Sequence, residues 1–390
     1  QDLNGIWELS TNNIHEVEIN KNGWQVFVDY EEQVPARWPN ANFTDFSVFD
    51  QTNNWAKGTI GEGGSYSNGE LQDTGKLNLS GINPIGAIAI LNVGSFKTWS
   101  RTVTDYNLST NTISYDSVPN WKTKHHYYFL EGKRELIDFP GEWWFDNLEK
   151  KLHMKFESGI NPNDLDIRVK TQPFAFNITN SNNISIEGLE FFATTFRTEG
   201  CNGCIVKDSD LMYPSTSKRS LGIAGEDVDE RWVSRMDFCT NCLIDNSSFA
   251  YTDGSALEFH GAALKSNNNT VNNSHFEYID WSSSDLIGLM VTVYDGGRDN
   301  TFSNNTVKNT GASSTLSIGD SPKIFFNNIS NTGFIQSDGA VVQMMMLEQK
   351  GAEIAYNWIH NTEKYGIRMD GPAGGTNIGR NASVHHNVLW

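Results

Sequence analysis

The sequence predicts an all-β chain, a right-handed parallel β-helix carrying a β-rich N-terminal elaboration. Three observations predict it. A short apolar pattern recurs eight times between Ile186 and Leu389, the connections between copies are rich in Asn, Gly, Ser and Asp, and no stretch sustains the 3.6-residue apolar spacing of a helix. Each copy is an apolar residue, a few residues of Asn/Ser character and a second apolar residue. The copies run Ile186 to Phe191, Val206 to Leu211, Ile244 to Phe249, Val271 to Phe276, Phe302 to Val307, Ile324 to Ile329, Ile354 to Ile359 and Val384 to Leu389. Successive leading residues lie 20, 38, 27, 31, 22, 30 and 30 positions apart. A strand this short buries only alternate side chains, so it makes a core only by stacking on its copies.

The turn residues tolerate left-handed backbone and bond their own main chain. Asn305, Asn327, Asn357 and Asn387 fall at equivalent places and are expected to stack as a hydrogen-bonded ladder with rungs about 4.8 Å apart. Residues 1–165 carry no repeat. They are crowded with aromatics, as in Ala36-Arg37-Trp38-Pro39-Asn40 and Gly141-Glu142-Trp143-Trp144-Phe145-Asp146, with strand-like runs at Val26 to Tyr30, Ala87 to Leu91 and Leu152 to Phe156. This region is expected to pack on, or be inserted in, the first coils. Residues 166–390 form the helix.

Composition narrows the function. A net charge of −18 and the absence of a basic stripe argue against nucleic acid as partner. The longest mainly apolar runs, Ile85 to Val93 and Val341 to Leu347, fall far short of the ~20 residues that cross a bilayer. The abrupt start at Gln1 fits a secreted or periplasmic protein whose leader has been removed. Trp390 follows the last repeat with no polar cap, so a further C-terminal segment or a second chain is expected to cover that end.

Two motif pairs carry the chemistry. Aligning Cys204-Ile205-Val206 with Cys242-Leu243-Ile244 places Cys204 beside Cys242 and Cys201 beside Cys239 on neighbouring coils. Two C-x2-C pairs match a tetrahedral zinc site, and the same proximity in a secreted protein gives disulfides; free structural thiols are the third outcome. Aligning Ala256-Leu257-Glu258-Phe259-His260-Gly261 with Gly366-Ile367-Arg368-Met369-Asp370-Gly371 points Leu257, Phe259, Ile367 and Met369 inward and Glu258, His260, Arg368 and Asp370 outward on one sheet face. Asp253 and Asp338 sit in the turns before such strands. In this register Arg219 to Gly225 is expected beside Ala256 to Gly261, which brings Glu226 and Asp227 near Glu258, with Asp285 one coil above.

Glu258 and Asp370 are four coils apart, about 19 Å, whereas the two carboxylates of a glycosidase are roughly 5 to 9.5 Å apart. Glu258 is therefore expected to work with Glu226 or Asp227 one coil below or with Asp285 one coil above, with Asp253 and His260 as further catalytic candidates, while Arg368, Asp370, Asp338, Trp281 and Tyr365 line substrate subsites. Solvent-facing solenoid positions are polar by default, so a lone carboxylate there is decoration more often than catalyst. The pair His125-His126 is a weaker acid/base or metal candidate.

Further runs carry a resemblance. Tyr127-Tyr128-Phe129-Leu130-Glu131, Leu136-Ile137-Asp138, Pro140-Gly141-Glu142-Trp143, Ile354-Ala355-Tyr356-Asn357-Trp358-Ile359-His360 and Tyr365-Gly366-Ile367-Arg368-Met369-Asp370-Gly371 resemble right-handed β-helix glycoside hydrolases of polysaccharide-degrading marine bacteria, in the pectate-lyase-like superfamily. The resemblance implies an endo-acting hydrolase of an extended anionic polysaccharide, such as a sulfated fucan, that needs no cofactor. The same architecture hosts polysaccharide lyases, for which Arg368 or His260 would be the base and Ca²⁺ would bind Asp338 and Asp370. A solenoid that binds glycan without cutting it is the third reading.

Overall fold

The computed structural model describes residues 3, 5–21, 23–59, 68–94, 98–118, 126–215, 219, 233–260, 265–282, 291–336, 338–343, 348–371 and 375–390. The chain divides into two compact units, Gln1–Thr171 with Lys218–Glu226, and Gln172–Ser217 with Asp227–Trp390. No helix among the described residues is long and apolar enough to cross a bilayer.

The second unit is a right-handed parallel β-helix built from three parallel sheets, each of eight strands among the described residues. The register follows the sequence repeat residue by residue. Ile186, Val206, Ile244, Val271, Phe302, Ile324, Ile354 and Val384 stand in one row of one sheet. Phe191, Leu211, Phe249, Phe276, Val307, Ile329, Ile359 and Leu389 stand in one row of the next. All but the outermost Val384 and Leu389 belong to a single buried apolar cluster. Between those two rows the chain turns through left-handed residues such as Asn246, Asn273 and Asn304, a backbone region Asn tolerates better than most.

The asparagine ladder forms as expected. Asn327 Nδ2 donates to Asn357 Oδ1 at 2.9 Å and to the carbonyl of Phe302 at 2.9 Å. The Asn327 Oδ1 accepts from the backbone N–H of Asn305 at 2.9 Å and from its Nδ2 at 3.2 Å. Asn357 repeats the pattern on Asn387. Earlier coils continue the ladder with serine, since Ser274 Oγ accepts from Ser247 N and Ser247 Oγ from Ser209 N.

Cys204 lies beside Cys242 and Cys201 beside Cys239, as the alignment predicts. All four are free, buried thiols, and no group of three or more metal-binding side chains among the described residues could hold an ion. A hydrogen bond from Cys242 holds the Cys239 thiol below its usual value although burial opposes it.

The first unit is antiparallel. Its largest sheet centres on Tyr127–Glu131, which pairs with Ile88–Asn92 on one side and with Arg37–Trp38 and Ala56–Lys57 on the other. Tyr128, Phe129 and Leu130 are fully buried. Arg219, within the Lys218–Glu226 segment assigned to this unit, holds Glu131 bidentately at 2.7 and 3.3 Å. Glu142 accepts the backbone N–H groups of Arg37, Asp138 and Phe139. Burial nonetheless pushes its carboxyl up to about 7.

Candidate functional site

The site lies on the outer face of the sheet whose strands run Phe174–Thr179, Thr195–Glu199, Ser234–Asp237, Leu257–His260, Val291–Asp295, Ser314–Ser317, Ala340–Gln343 and Tyr365–Arg368. Leu257 and Phe259 are in the core, with Ile367 and Met369 packed against it. Alternation therefore turns their neighbours outward. One outward row reads Asn177, Arg197, Arg235, Glu258, Tyr294, Ser317, Gln343 and Arg368.

The strand beside Leu257–His260 is Ser234–Asp237, which corrects the expected pairing with Arg219 to Gly225. The insertion between the Val206 repeat and the next strand is longer than the repeat register allows for, so residue counting landed inside it. Glu226, Asp285 and His125 lie outside the described residues. Placed where sequence reasoning expected Glu226 are Arg235 and Asp237, which it missed.

At this end of the row Glu258 Oε2 meets His260 Nε2 at 2.6 Å, and the His260 ring stacks on Tyr294 with centroids 4.8 Å apart. Asp237 is held by Arg235 at 2.9 Å and by Arg197 at 3.4 Å, and Arg197 also reaches Glu199 at 3.3 Å. The centre is closed. The Glu258 side chain is only 1% exposed, Asp237 3%, and only the imidazole of His260 reaches solvent among the Glu258–His260 pair.

Four strands along, the face is open. Arg368 forks between Asp338 at 2.8 Å and Asp370 at 2.7 Å, and the side chains of Asp338, Asp370 and Arg368 are 28%, 30% and 34% exposed. Nitrogens of one guanidinium fork are ~2.3 Å apart, so the two bound oxygens are at most ~8 Å apart. Gln343 Nε2 fixes Asp370 Oδ2 from the neighbouring strand at 3.1 Å. Asp338 is placed by Gly339, whose N–H donates to Asp338 Oδ1 at 2.8 Å. Only glycine fits there, because φ is 119° and a Cβ would sit 1.8 Å from the carbonyl oxygen of Ser313.

The remaining expected residues separate. Asp253 is fully enclosed, its carboxylate accepting from the N–H and Oγ of Ser282. Trp281 is 6% exposed and packed, so it offers no ring face to a sugar, contrary to its expected exposure. Tyr365 is 72% exposed at the edge of the sheet. Asp295, next to Tyr294, turns inward opposite Phe259 and accepts from Gly297 N and Asn300 Nδ2, with burial raising its pKa. Alternation places it there, since Val293 is in the core and Tyr294 stands in the outward row.

No family model matches the chain, and no curated protein does. Among solved structures it is similar to one described as a glycoside hydrolase, at 11% identity and a TM-score of 0.69, covering 94% of this chain and 73% of that one. Weaker likenesses are the tailspike protein gp49 from Pseudomonas phage LKA1, at 10% identity and TM-score 0.18 over 86% of this chain and 63% of that one, and the fluoroquinolone resistance protein QnrB1, at 7% and 0.15 over 54% and 92%. Scores that low carry nothing further. The first likeness agrees with the parallel β-helix, and at this identity it bears on fold alone.

Proposed function

We propose that the chain is a glycoside hydrolase that binds an extended polysaccharide along this sheet face and cuts it between Asp338 and Asp370. One observation carries the reading: two half-open carboxylates share a single guanidinium, which keeps their bound oxygens within ~8 Å of each other, inside the ~9.5 Å upper limit of glycosidase pairs. A sugar entering between them must take Arg368 off one carboxylate. The carboxylate that keeps the guanidinium remains the base or nucleophile, and the one released can carry a proton to the glycosidic oxygen. Glu258 then acts as a positioning group for His260, since an enclosed carboxylate does not reach a glycosidic bond. Endo cleavage fits a sheet that runs across eight stacked strands, along which an extended chain can lie, and a secreted or periplasmic setting fits a polymeric substrate. A sulfated, fucan-like chain is implied by the sequence resemblance only.

Reducing-sugar release from a polysaccharide panel tests the site. Asp338→Asn and Asp370→Asn are each expected to lower kcat by about 10² to 10⁴-fold, and Glu258→Gln by less than about tenfold. Loss of activity in a folded Glu258→Gln variant, with both Asp variants active, would move the chemistry to the closed end. The lyase reading draws on the Glu258–His260 pair as a base, and ultraviolet absorbance from an unsaturated product would establish it. Binding without cleavage would favour the adhesin.

A further inference from the structure

We infer that the glycan recognised at this face is uncharged, neither sulfated nor uronic; this rests on the hydrolase reading and names its substrate class. The inference comes from how the arginines are used. Three line the outward row, and each is already bound to carboxylate: Arg197 to Glu199 and Asp237, Arg235 to Asp237, Arg368 to Asp338 and Asp370. Counting charges among the described residues with His260 as neutral, the closed end holds two arginines against Glu199, Asp237 and Glu258. The open end holds one against two. Each cluster therefore carries one negative charge in excess, in a chain whose formal net charge is −18.

A sulfate or carboxylate on the sugar would have to take a guanidinium from an acidic side chain. At Asp237 that side chain is buried, and stripping its partner would leave an enclosed charge uncompensated, which is strongly unfavourable. An uncharged sugar faces no such exchange. Its hydroxyls are donors, and the open end offers acceptors in the partly exposed carboxylates of Asp338 and Asp370. The exposed ring of Tyr365 offers an apolar surface to a pyranose.

The experiment compares matched substrates on the intact chain. Uncharged β-glucans, xylans, mannans and galactans are digested beside chemically sulfated preparations of the same polymers, together with a natural sulfated fucan and its desulfated product. Each is run at about 0.02 M and about 1 M NaCl, where the Debye length falls from about 20 Å to about 3 Å. The expected result is kcat/KM at least about tenfold higher for one or more uncharged polymers than for the sulfated form, flat with salt, while the sulfated form improves as salt screens repulsion. Faster cleavage of the sulfated form, or loss of cleavage on desulfation, would overturn the inference and leave the hydrolase reading standing. Cleavage of no polymer in either form would overturn the hydrolase reading and this inference with it.

Discussion

Asn327→Ala tests whether the ladder, rather than the apolar rows alone, holds the coils in register. In the parent, Asn327 Oδ1 accepts from Asn305 N and Nδ2, and its own Nδ2 donates to Asn357 Oδ1 and the Phe302 carbonyl. Removing the amide breaks four bonds, but not all four losses are equal. Asn305 Nδ2 still donates to the Val271 carbonyl, and Asn357 Oδ1 still accepts the Asn327 N–H. The Asn305 N–H is buried and loses the acceptor it had. With one orphaned buried donor at about 1–3 kcal/mol and the other bonds at about 0.5–1.5 kcal/mol each, the loss comes to about 3 kcal/mol after relaxation. The outermost rung supplies the control. Asn387 also accepts from the N–H of Asn357, but it is half-buried, so water can replace its amide and Asn387→Ala is expected to lose about 1 kcal/mol. Hydrogen exchange read on peptides spanning 300–332 converts these into about a hundredfold loss of protection against about fivefold. Equal losses for the two variants, or unchanged exchange in Asn327→Ala, would show that apolar stacking alone sets the register.

Two further outcomes probe the rest of the chain. Glu142 has a folded-state carboxyl raised to about 7 from 4.5, so its protonated form is the favoured one in the fold. Its contribution to stability is fully present below pH 4.5, fades as pH rises towards 7 and is gone above it, by up to about 3 kcal/mol. Denaturant midpoints of the parent across that window should show the decline, and Glu142→Gln, which cannot titrate, should lack that part of the slope whatever its absolute stability. A slope identical in both proteins would mean that the three backbone donors outweigh burial. For the cysteines, thiol reagent should label none in the native protein and all four after unfolding without reductant. A mass lower by two hydrogens, or zinc released on unfolding, would show the corner to be bridged or metallated.

The helix was legible because its two apolar rows are set by steric necessity. A coil with a polar residue at Phe249 or Ile324 would leave a hole that neighbouring rungs cannot fill, so the pattern survives coil lengths from 20 to 38 residues. The asparagines were legible for the same reason: a buried amide is tolerated only where another stacks on it. Loop lengths obey no such constraint. The long insertion after Leu211 shifted the expected neighbour of Leu257–His260 by fifteen residues, from Arg219 to Ser234. That slip hid Arg235 and Asp237 and put weight on Glu226. Asp295 points inward as alternation after Tyr294 dictates, but nothing local records which glycine and asparagine donors will meet it there.

Alternation along a strand told which side chains leave the core, but not which of them reach water. Glu258 and Asp370 sit at outward positions by the same count, yet one is enclosed and the other open. The difference arises from contacts made across rungs: His260 and Tyr294 close over one end of the row, while at the other end Asp338 arrives from the turn before its strand and meets Asp370 through Arg368. Spacing within a single coil cannot reveal a pair of that kind. Asp338 and Asp370 come from adjacent rungs, one entering its strand and one leaving, and they converge only because Arg368 spans the gap. A carboxylate pair of this kind on a solenoid is thus a property of two stacked coils and the residue between them. Its sequence signature is a carboxylate before one strand and a basic-x-acidic triplet ending the next, and Ser337-Asp338-Gly339 followed by Arg368-Met369-Asp370 has that form.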